Sequence, residues 1–202
     1  MPEAAGFSRN DLSLSWRPNA RACAKSVRPV TVWLTGLSGA GKSTLAAELR
    51  RRLVRAARPC FVLDGDVVRS GINRDLGFTP QDRRENIRRV AEISRLMNDA
   101  GLIVLAAFIS PYRSDRRMAA EIIGPGRFIE AYLDAPLEVC ERRDPKGLYR
   151  RARTGALAEF TGVSAPYEPP EAPAIVLDTA GSGVDECASR LVELVNERTG
   201  AS

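Results

Sequence analysis

At 202 residues the chain is long enough for one well-cored α/β domain and short for two. Its composition, 44% hydrophobic and 27% charged, is that of an ordinary globular protein, and no apolar run is long enough to span a bilayer. A formal net charge of +5 favours anionic partners, either nucleic acid or small phosphorylated and sulfated ligands, while the absence of histidine leaves carboxylates, lysines or substrate groups as general bases.

Residues 1–28 are polar and rich in Ala, Ser and Arg, without the apolar core of a signal peptide, and Glu3 and Asp11 count against a transit peptide. The expectation is a flexible N-terminal arm at 1–28 and one domain over 29–202. Cys23, Cys60, Cys140 and Cys187 form no CxxC pair, which argues against zinc and for reduced thiols in the cytoplasm.

Val30–Thr35 reads as a buried strand, and "GLSGAGKST" follows it with the P-loop spacing before a helix-like pattern. Gly36, Leu37, Ser38, Gly39, Ala40, Gly41, Lys42, Ser43 and Thr44 are therefore candidate nucleotide-binding residues. Glycines 36, 39 and 41 let the backbone take positive φ and bring its N–H groups around phosphate oxygens at a helix N-terminus. Lys42 can neutralise the β- and γ-phosphates, and the Ser43 hydroxyl can sit on a Mg²⁺ ion bridging them. The motif implies nucleoside triphosphate binding and leaves the fate of the phosphate open.

The second strand, 60–64, runs into "LDGDVVR", which places Asp64 and Asp66 at a strand terminus facing the expected phosphate loop. Two carboxylates there can hold Mg²⁺ directly or through water, and one can accept a proton from an attacking hydroxyl. Asp64 is the first candidate for base or metal partner; an ordinary Asp-Gly turn is the competing reading.

A helix over 80–100 is predicted from Thr79 as cap, Pro80 in the first position and Gly101 at the end, with Ile87, Val90, Ile93 and Met97 facing inward. Arg69, Phe78, Arg83 and Asn86 cluster around its start and form a candidate acceptor site. Arginines offer planar forks for phosphate or sulfate, and an aromatic face can stack on a base. Arg84, Arg88 and Arg89 read better as a solvated helix face.

The third strand, 102–108, leads into "FISPYRSDR", where Ser110 and two arginines can touch a transferring phosphoryl group; a plain turn is equally compatible with Ser110. Residues 144–170 carry four prolines and three glycines, a long loop of the kind that serves as a lid. Arg142, Arg143, Arg150, Arg151 and Arg153 fit a solvated face, an RNA-binding patch or lid cations. Strands at 127–133 and 174–178 complete the series. Five strands alternating with helices imply an α/β, three-layer fold: a five-stranded parallel sheet with helices on both faces, a lid, and ligands at the carboxyl ends of the strands.

From about 30 to about 195 the chain resembles the adenylylsulfate kinase (APS kinase) family. The resemblance rests on "TGLSGAGKST", "LDGDVVR", "LGFTPQDRRENIRRV", "FISPYR", "RDPKGLY" and "FTGVSAPYEPP", in order and at matching intervals. It implies a P-loop kinase that transfers the γ-phosphate of ATP, with Mg²⁺, to the 3′-hydroxyl of adenylyl sulfate (APS), giving 3′-phosphoadenylyl sulfate (PAPS) in sulfate assimilation. On the same resemblance Lys42, Asp64, Asp66 and Ser110 are catalytic, with Ser43 and Asp64 at the metal. Arg69, Phe78, Arg83, Asn86, Ile109, Ser110, Lys146 and Phe160 hold the acceptor, Phe78 and Phe160 sandwiching its adenine. Ser110 stands where parts of the family are described as forming a phosphoserine, whereas in-line transfer between two bound substrates needs no covalent enzyme group. Residues 1–28 lack the lead-in of bacterial members, and Ser70 stands where a histidine is frequent. The family further implies a homodimer, no nucleic-acid or membrane partner, and adenylyl sulfate supplied by a separate ATP sulfurylase. The alternatives are another small-molecule P-loop kinase, an ATP-dependent nucleic-acid binder and a switch GTPase, the last two without an RNA-binding motif or an NKxD-like tetrapeptide in the sequence.

Overall fold

Short apolar runs set the framework, because a run buried on both faces can satisfy its backbone only by pairing with similar neighbours. The computed structural model describes residues 28–157 and 159–200, so all of the expected arm except Arg28, together with Cys23, lies outside the described residues. The strands are β1 (Thr31–Thr35), β2 (Cys60–Asp64), β3 (Ile103–Ala107), β4 (Phe128–Asp134) and β5 (Ile175–Asp178). They form one all-parallel sheet in the order β2-β3-β1-β4-β5. β1 is central: Thr31 is in register with Val104 on one side and Phe128 on the other.

Alternate residues of the strands feed two cores. Val32, Leu34 and Leu105 join Leu45, Leu49 and Leu53 of α1 (Lys42–Arg55) and Leu191 and Val195 of α7 (Val184–Thr199). Trp33, Val104 and Ala106 join Ile87 and Val90 of α3 (Pro80–Asp99) and Ala119 and Ile123 of α4 (Arg113–Ile123). The result is the expected layering of helix, sheet and helix. Each fully buried aliphatic side chain contributes about 1.5–3 kcal/mol relative to exposure.

The helix predicted over 80–100 ends at Asp99. Thr79 caps it by accepting from the Asp82 N–H at 3.2 Å, and the chain leaves through Gly101 at φ +87°. Its inner face is more polar than the pattern of apolar residues suggests. Ile93 and Met97 are only partly buried, while Asn98 is fully buried, accepting from Thr31 Oγ1 at 2.8 Å and donating to the Leu102 carbonyl at 2.9 Å. A carboxamide can satisfy helix, strand and loop at once, which an aliphatic side chain cannot.

Two segments depart from the sequence reading. "GDVVRS" is a short helix, α2 (Gly65–Ser70), with Asp64 as its N-cap, where a turn was the competing expectation. The stretch 144–170 is not an unbroken loop. Following α5 (Leu137–Arg143), it contains α6 (Leu148–Arg153), whose buried Tyr149 donates to the Ser38 carbonyl at 2.9 Å.

Candidate active site

The turn after β1 takes left-handed backbone at Gly39 (φ +77°) and Gly41 (φ +93°), and packing leaves no room for side chains at two of its glycines. A Cβ at Gly36 would stand 2.7 Å from the Leu133 carbonyl oxygen, and one at Gly39 would stand 2.9 Å from that of Cys140. The backbone is thereby held open at the N-terminus of α1, where the N–H groups and the helix dipole favour an anion. Lys42, 9% exposed, donates from Nζ to the carbonyls of Gly36 (2.8 Å) and Leu37 (2.6 Å). Burial pulls its ammonium down to about 8, the cost of desolvating a cation.

β2 delivers Asp64 opposite this loop. Its Oδ2 accepts from the Ser43 hydroxyl at 2.6 Å, and its Oδ1 accepts from the Asp66 N–H at 3.0 Å. One carboxylate thus joins the start of α1 to the start of α2. Among the described residues no group of three His, Cys, Asp or Glu side chains could hold a metal alone. The Ser43–Asp64 pair nevertheless fits Mg²⁺, a hard ion that takes one or two protein oxygens and fills its other positions with phosphate oxygens and water. Asp66 is ion-paired with Lys146 from the segment after α5.

The loop and the aspartates line one end of a cavity of about 1050 Å³ at the carboxyl ends of the strands. Of the residues expected at the nucleotide and acceptor, Ser38 through Thr44, Asp64, Asp66, Arg69, Phe78, Arg83, Asn86, Ile109, Ser110, Lys146 and Phe160 all line it. Gly36 and Leu37 do not; they sit behind the loop, against Leu133 and Gly162.

The far lobe is built from cations and rings. The Arg69 guanidinium lies 4.5 Å from the centre of the Phe78 ring, and its Nη1 donates to the Gly77 carbonyl at 2.8 Å. Arg83 donates from Nε to the Phe78 carbonyl (2.9 Å) and from Nη2 to the Glu159 carbonyl (2.7 Å), tying the two aromatic segments together. Among the described residues neither arginine forms a salt bridge, and burial lowers the pKa of both; two desolvated cations on one wall select an anion. Phe78 is 55% exposed, whereas Phe160 is 7% exposed and packs edge-on against Tyr149 at 4.9 Å. Asn86 is buried, its Oδ1 accepting from Asn73 Nδ2 at 3.0 Å.

Ser110 is 3% exposed and adopts φ +40°, a strained value for a residue other than glycine. Its Oγ accepts from Trp33 Nε1 at 3.1 Å and donates to Thr35 Oγ1 at 3.1 Å. The two arginines expected beside a transferring phosphoryl group are committed elsewhere. Arg116 is buried and donates to Glu130 Oε1 (2.7 Å), the Ser110 carbonyl (2.6 Å) and the Glu168 carbonyl (2.7 Å), while Arg113 pairs with Glu171 at 2.9 Å. The basic residues from the end of α5 through α6 also divide. Arg143 donates to the Gly39 and Thr179 carbonyls, Arg151 faces the cavity, Arg153 pairs with Glu141, and Arg142 and Arg150 are exposed. The solvated-face reading of α3 fits Arg88 and Arg89, which meet Glu85, with Arg89 also meeting Asp75, whereas Arg84 reaches the buried Asp115 of α4 at 3.3 Å.

A family model described as adenylylsulphate kinase matches residues 28–178. The chain belongs to the adenylylsulphate kinase family. It is 53% identical over 178 residues to the adenylyl-sulfate kinase of Marinobacter nauticus, covering 88% of this chain and 89% of that one. It is 51% identical over 195 residues to the bifunctional enzyme NodQ of Azospirillum brasilense, covering 96% of this chain and 31% of the relative. The chain therefore spans about three-tenths of the length of the NodQ relatives it matches. Among solved structures it is similar to the APS kinase CysC of Mycobacterium tuberculosis in complex with AMPPNP and APS, with TM-score 0.82 and 42% identity over 84% of this chain and 99% of that one. The match to the adenylylsulphate kinase model stops before α7, yet Leu191 and Val195 of that helix are fully buried, and Ser182 to Val184 line the cavity at the phosphate-loop end.

Several residues that support the site from behind have no signature in the sequence. Trp33 reads as a core residue of a buried strand, Arg116 as one arginine among many, and Asn73 as a turn residue. Only the partner each one meets across the fold reveals its connection to the cavity.

Proposed function

We propose that this adenylylsulphate kinase domain transfers the γ-phosphate of ATP to the 3′-hydroxyl of adenylyl sulfate, giving 3′-phosphoadenylyl sulfate and ADP, the activation step of sulfate assimilation. The observation that carries the reading is a single cavity with a phosphate loop at one end and an arginine- and phenylalanine-lined lobe at the other. Such a cavity can hold two nucleotides with their reacting ends together. A hydrolase needs only water, whereas transfer needs a docked acceptor.

On this reading Ser38 to Thr44 bind the ATP phosphates, with Gly36 and Leu37 supporting the loop from behind, and Lys42 exchanges its loop carbonyls for phosphate oxygens. Ser43 and Asp64 would hold Mg²⁺, which would supply charge neutralisation at the phosphates. Arg69 and Arg83 take the anionic bridge of the acceptor, with its adenine between Phe78 and Phe160. The new bond forms between the acceptor O3′ and γ-phosphorus while the bond to the β–γ bridging oxygen breaks. The hydroxyl proton passes to a carboxylate of the Asp64 and Asp66 pair at the cavity, since the chain has no histidine. Residues 144–170 act as the lid: Tyr149 ties them to the phosphate loop and Lys146 to Asp66, and closure excludes water as a competing acceptor.

The transfer is direct. The Ser110 hydroxyl already donates its proton to Thr35, and among the described residues no carboxylate or lysine contacts it, so it lacks the base an attacking serine requires. Ser110 contacts the acceptor and shapes the turn after β3. The proposal includes a homodimer, a cytoplasmic place of action, a domain running from about residue 29 to the end and a supply of adenylyl sulfate from an ATP sulfurylase. No described helix is long and apolar enough to cross a membrane. Sedimentation of the purified protein tests the dimer.

The deciding experiment is ADP release from ATP and Mg²⁺ with adenylyl sulfate, adenosine, AMP or no acceptor, with the product identified by mass. Fast release with adenylyl sulfate alone, yielding the 3′-phosphorylated product, supports the reading. A preference for a nucleoside would favour the alternative small-molecule kinase.

A further inference from the structure

Asn73 has no place in the mechanism above, yet it is one of the most deeply buried polar side chains of the protein, with no exposed surface. It lies in the turn between α2 and α3, where its own N–H donates to the Val68 carbonyl at 2.9 Å and its carbonyl accepts from the Leu76 N–H at 3.1 Å. The backbone is therefore satisfied without help from the side chain. The side chain spends one donor on a single partner, Asn86 Oδ1, at 3.0 Å, and its own Oδ1 is buried without a hydrogen-bond partner. An orphaned buried acceptor destabilises a fold, and an aliphatic side chain of similar size would avoid that cost. Stability alone does not account for asparagine here.

What the contact does is fix the orientation of another amide. A carboxamide presents an acceptor on one side and two donors on the other, and either side can face a ligand unless a neighbour decides. Asn86 lines the acceptor lobe with Arg69, Phe78 and Arg83. With its Oδ1 held by Asn73, the Nδ2 group faces the cavity, and it donates to no described residue. We infer that Asn73 is a positioning residue that locks Asn86 as a hydrogen-bond donor to an oxygen of the acceptor nucleotide. The inference rests on the acceptor-site reading above. It makes the lobe donor-only along that wall, two guanidiniums and one amide NH₂, which matches a ligand presenting ribose or phosphosulfate oxygens and disfavours one presenting N–H groups.

The test uses Asn73→Asp and Asn73→Leu in the full chain, with KM for adenylyl sulfate, KM for ATP and melting temperature measured together. Assayed across a range of pH so that the buried carboxyl is read in both states, Asn73→Asp in its ionised form accepts from Asn86 Nδ2 and turns that amide over, and should then raise KM for adenylyl sulfate about tenfold, with KM for ATP within about twofold. Asn73→Leu should raise the same KM without lowering the melting temperature, and should add little in an Asn86→Ala background, because the effect runs through Asn86. Should the leucine variant fail to fold, the nearly isosteric aspartate variant still decides. An unchanged KM for adenylyl sulfate in Asn73→Asp would overturn the inference, since it would mean that Asn73 is the acceptor of the pair and Asn86 faces the cavity with its oxygen. Equal changes in both KM values with a fallen melting temperature would also overturn it, marking Asn73 as purely structural. If wild-type protein shows no adenylyl sulfate-dependent ADP release, the functional reading fails first; if it does, and Asn86→Ala leaves KM unchanged, only the positioning inference fails.

Discussion

Replacing Ser110 by alanine separates direct transfer from a covalent route, and the structure supplies the expected size of the effect. Removing Oγ leaves Trp33 Nε1 without its acceptor in a side chain that has no exposed surface, while Thr35 Oγ1 keeps its bonds to the Ile109 carbonyl and Tyr167. One orphaned buried donor costs about 1–3 kcal/mol, and a chain of this size loses about 2–4 °C of melting temperature per kcal/mol. A loss of about 2–12 °C in a thermal melt is expected from those two ranges, and it should shrink in a Trp33→Phe background where the orphan no longer exists. Turnover should fall about tenfold or less, the size of one lost contact and a slightly displaced turn. The assay is steady-state ADP release with adenylyl sulfate, alongside mass spectrometry of the parent protein quenched during turnover. A fall of about 10⁴-fold or more in a variant that stays folded, with phosphoserine at position 110 trapped in the parent, would refute direct transfer.

Gly39→Ala should weaken ATP binding at least about tenfold, because a Cβ there meets the Cys140 backbone oxygen at 2.9 Å and a left-handed φ of +77°; calorimetry with a non-hydrolysable ATP analogue that gives wild-type affinity would contradict the cradle geometry. Lys42 acts as an ammonium and its pKa is pulled down to about 8, so kcat/KM for ATP should fall as pH rises through about 8. Bound phosphates favour the charged form, so kcat should hold to higher pH; a kcat/KM profile flat to about pH 10 would contradict the assignment. Phe78 is 55% exposed, so Phe78→Ala should leave the melting temperature nearly unchanged and raise KM for adenylyl sulfate about tenfold, the worth of one base–aromatic stack, with KM for ATP unaffected. Equal rises in both would remove Phe78 from the acceptor lobe. Phe160→Ala is a less clean test, since Phe160 belongs to the core and supports Tyr149.

The sheet and the phosphate loop were legible because each is written in contiguous residues. A run such as "TVWLT", short, rich in β-branched residues and ended by glycine, reads as a buried strand, and glycines 36, 39 and 41 leave a spacing that few other structures require. α2 was hidden because six residues carry too few turns for a period, and its cap, Asp64, served equally well for a turn. The roles of Arg113 and Arg116 were misread for a different reason. Charge and position at a strand end suggested a ligand, but Glu130, Glu171 and the carbonyl of Glu168 reach them from segments distant in sequence. Pairing across such distances leaves no local pattern, and the same holds for Asn73 with Asn86 and Lys146 with Asp66.

The Arg28 N–H donates to the Thr199 carbonyl at 3.3 Å, so the two ends of the described unit lie side by side. Arg28 comes just before β1, whose other end opens into the cavity, which puts both ends at the rim remote from the chemistry by roughly the length of a strand, about 15 Å. A unit with neighbouring ends on its blind side behaves as a cassette. Further sequence can be joined at either end without crossing the cavity mouth or residues 144–170 beside it, and a tether there transmits little force to the cavity. Sequences similar to this unit make up 89% of the length of one relative and 31% of another, as a cassette can.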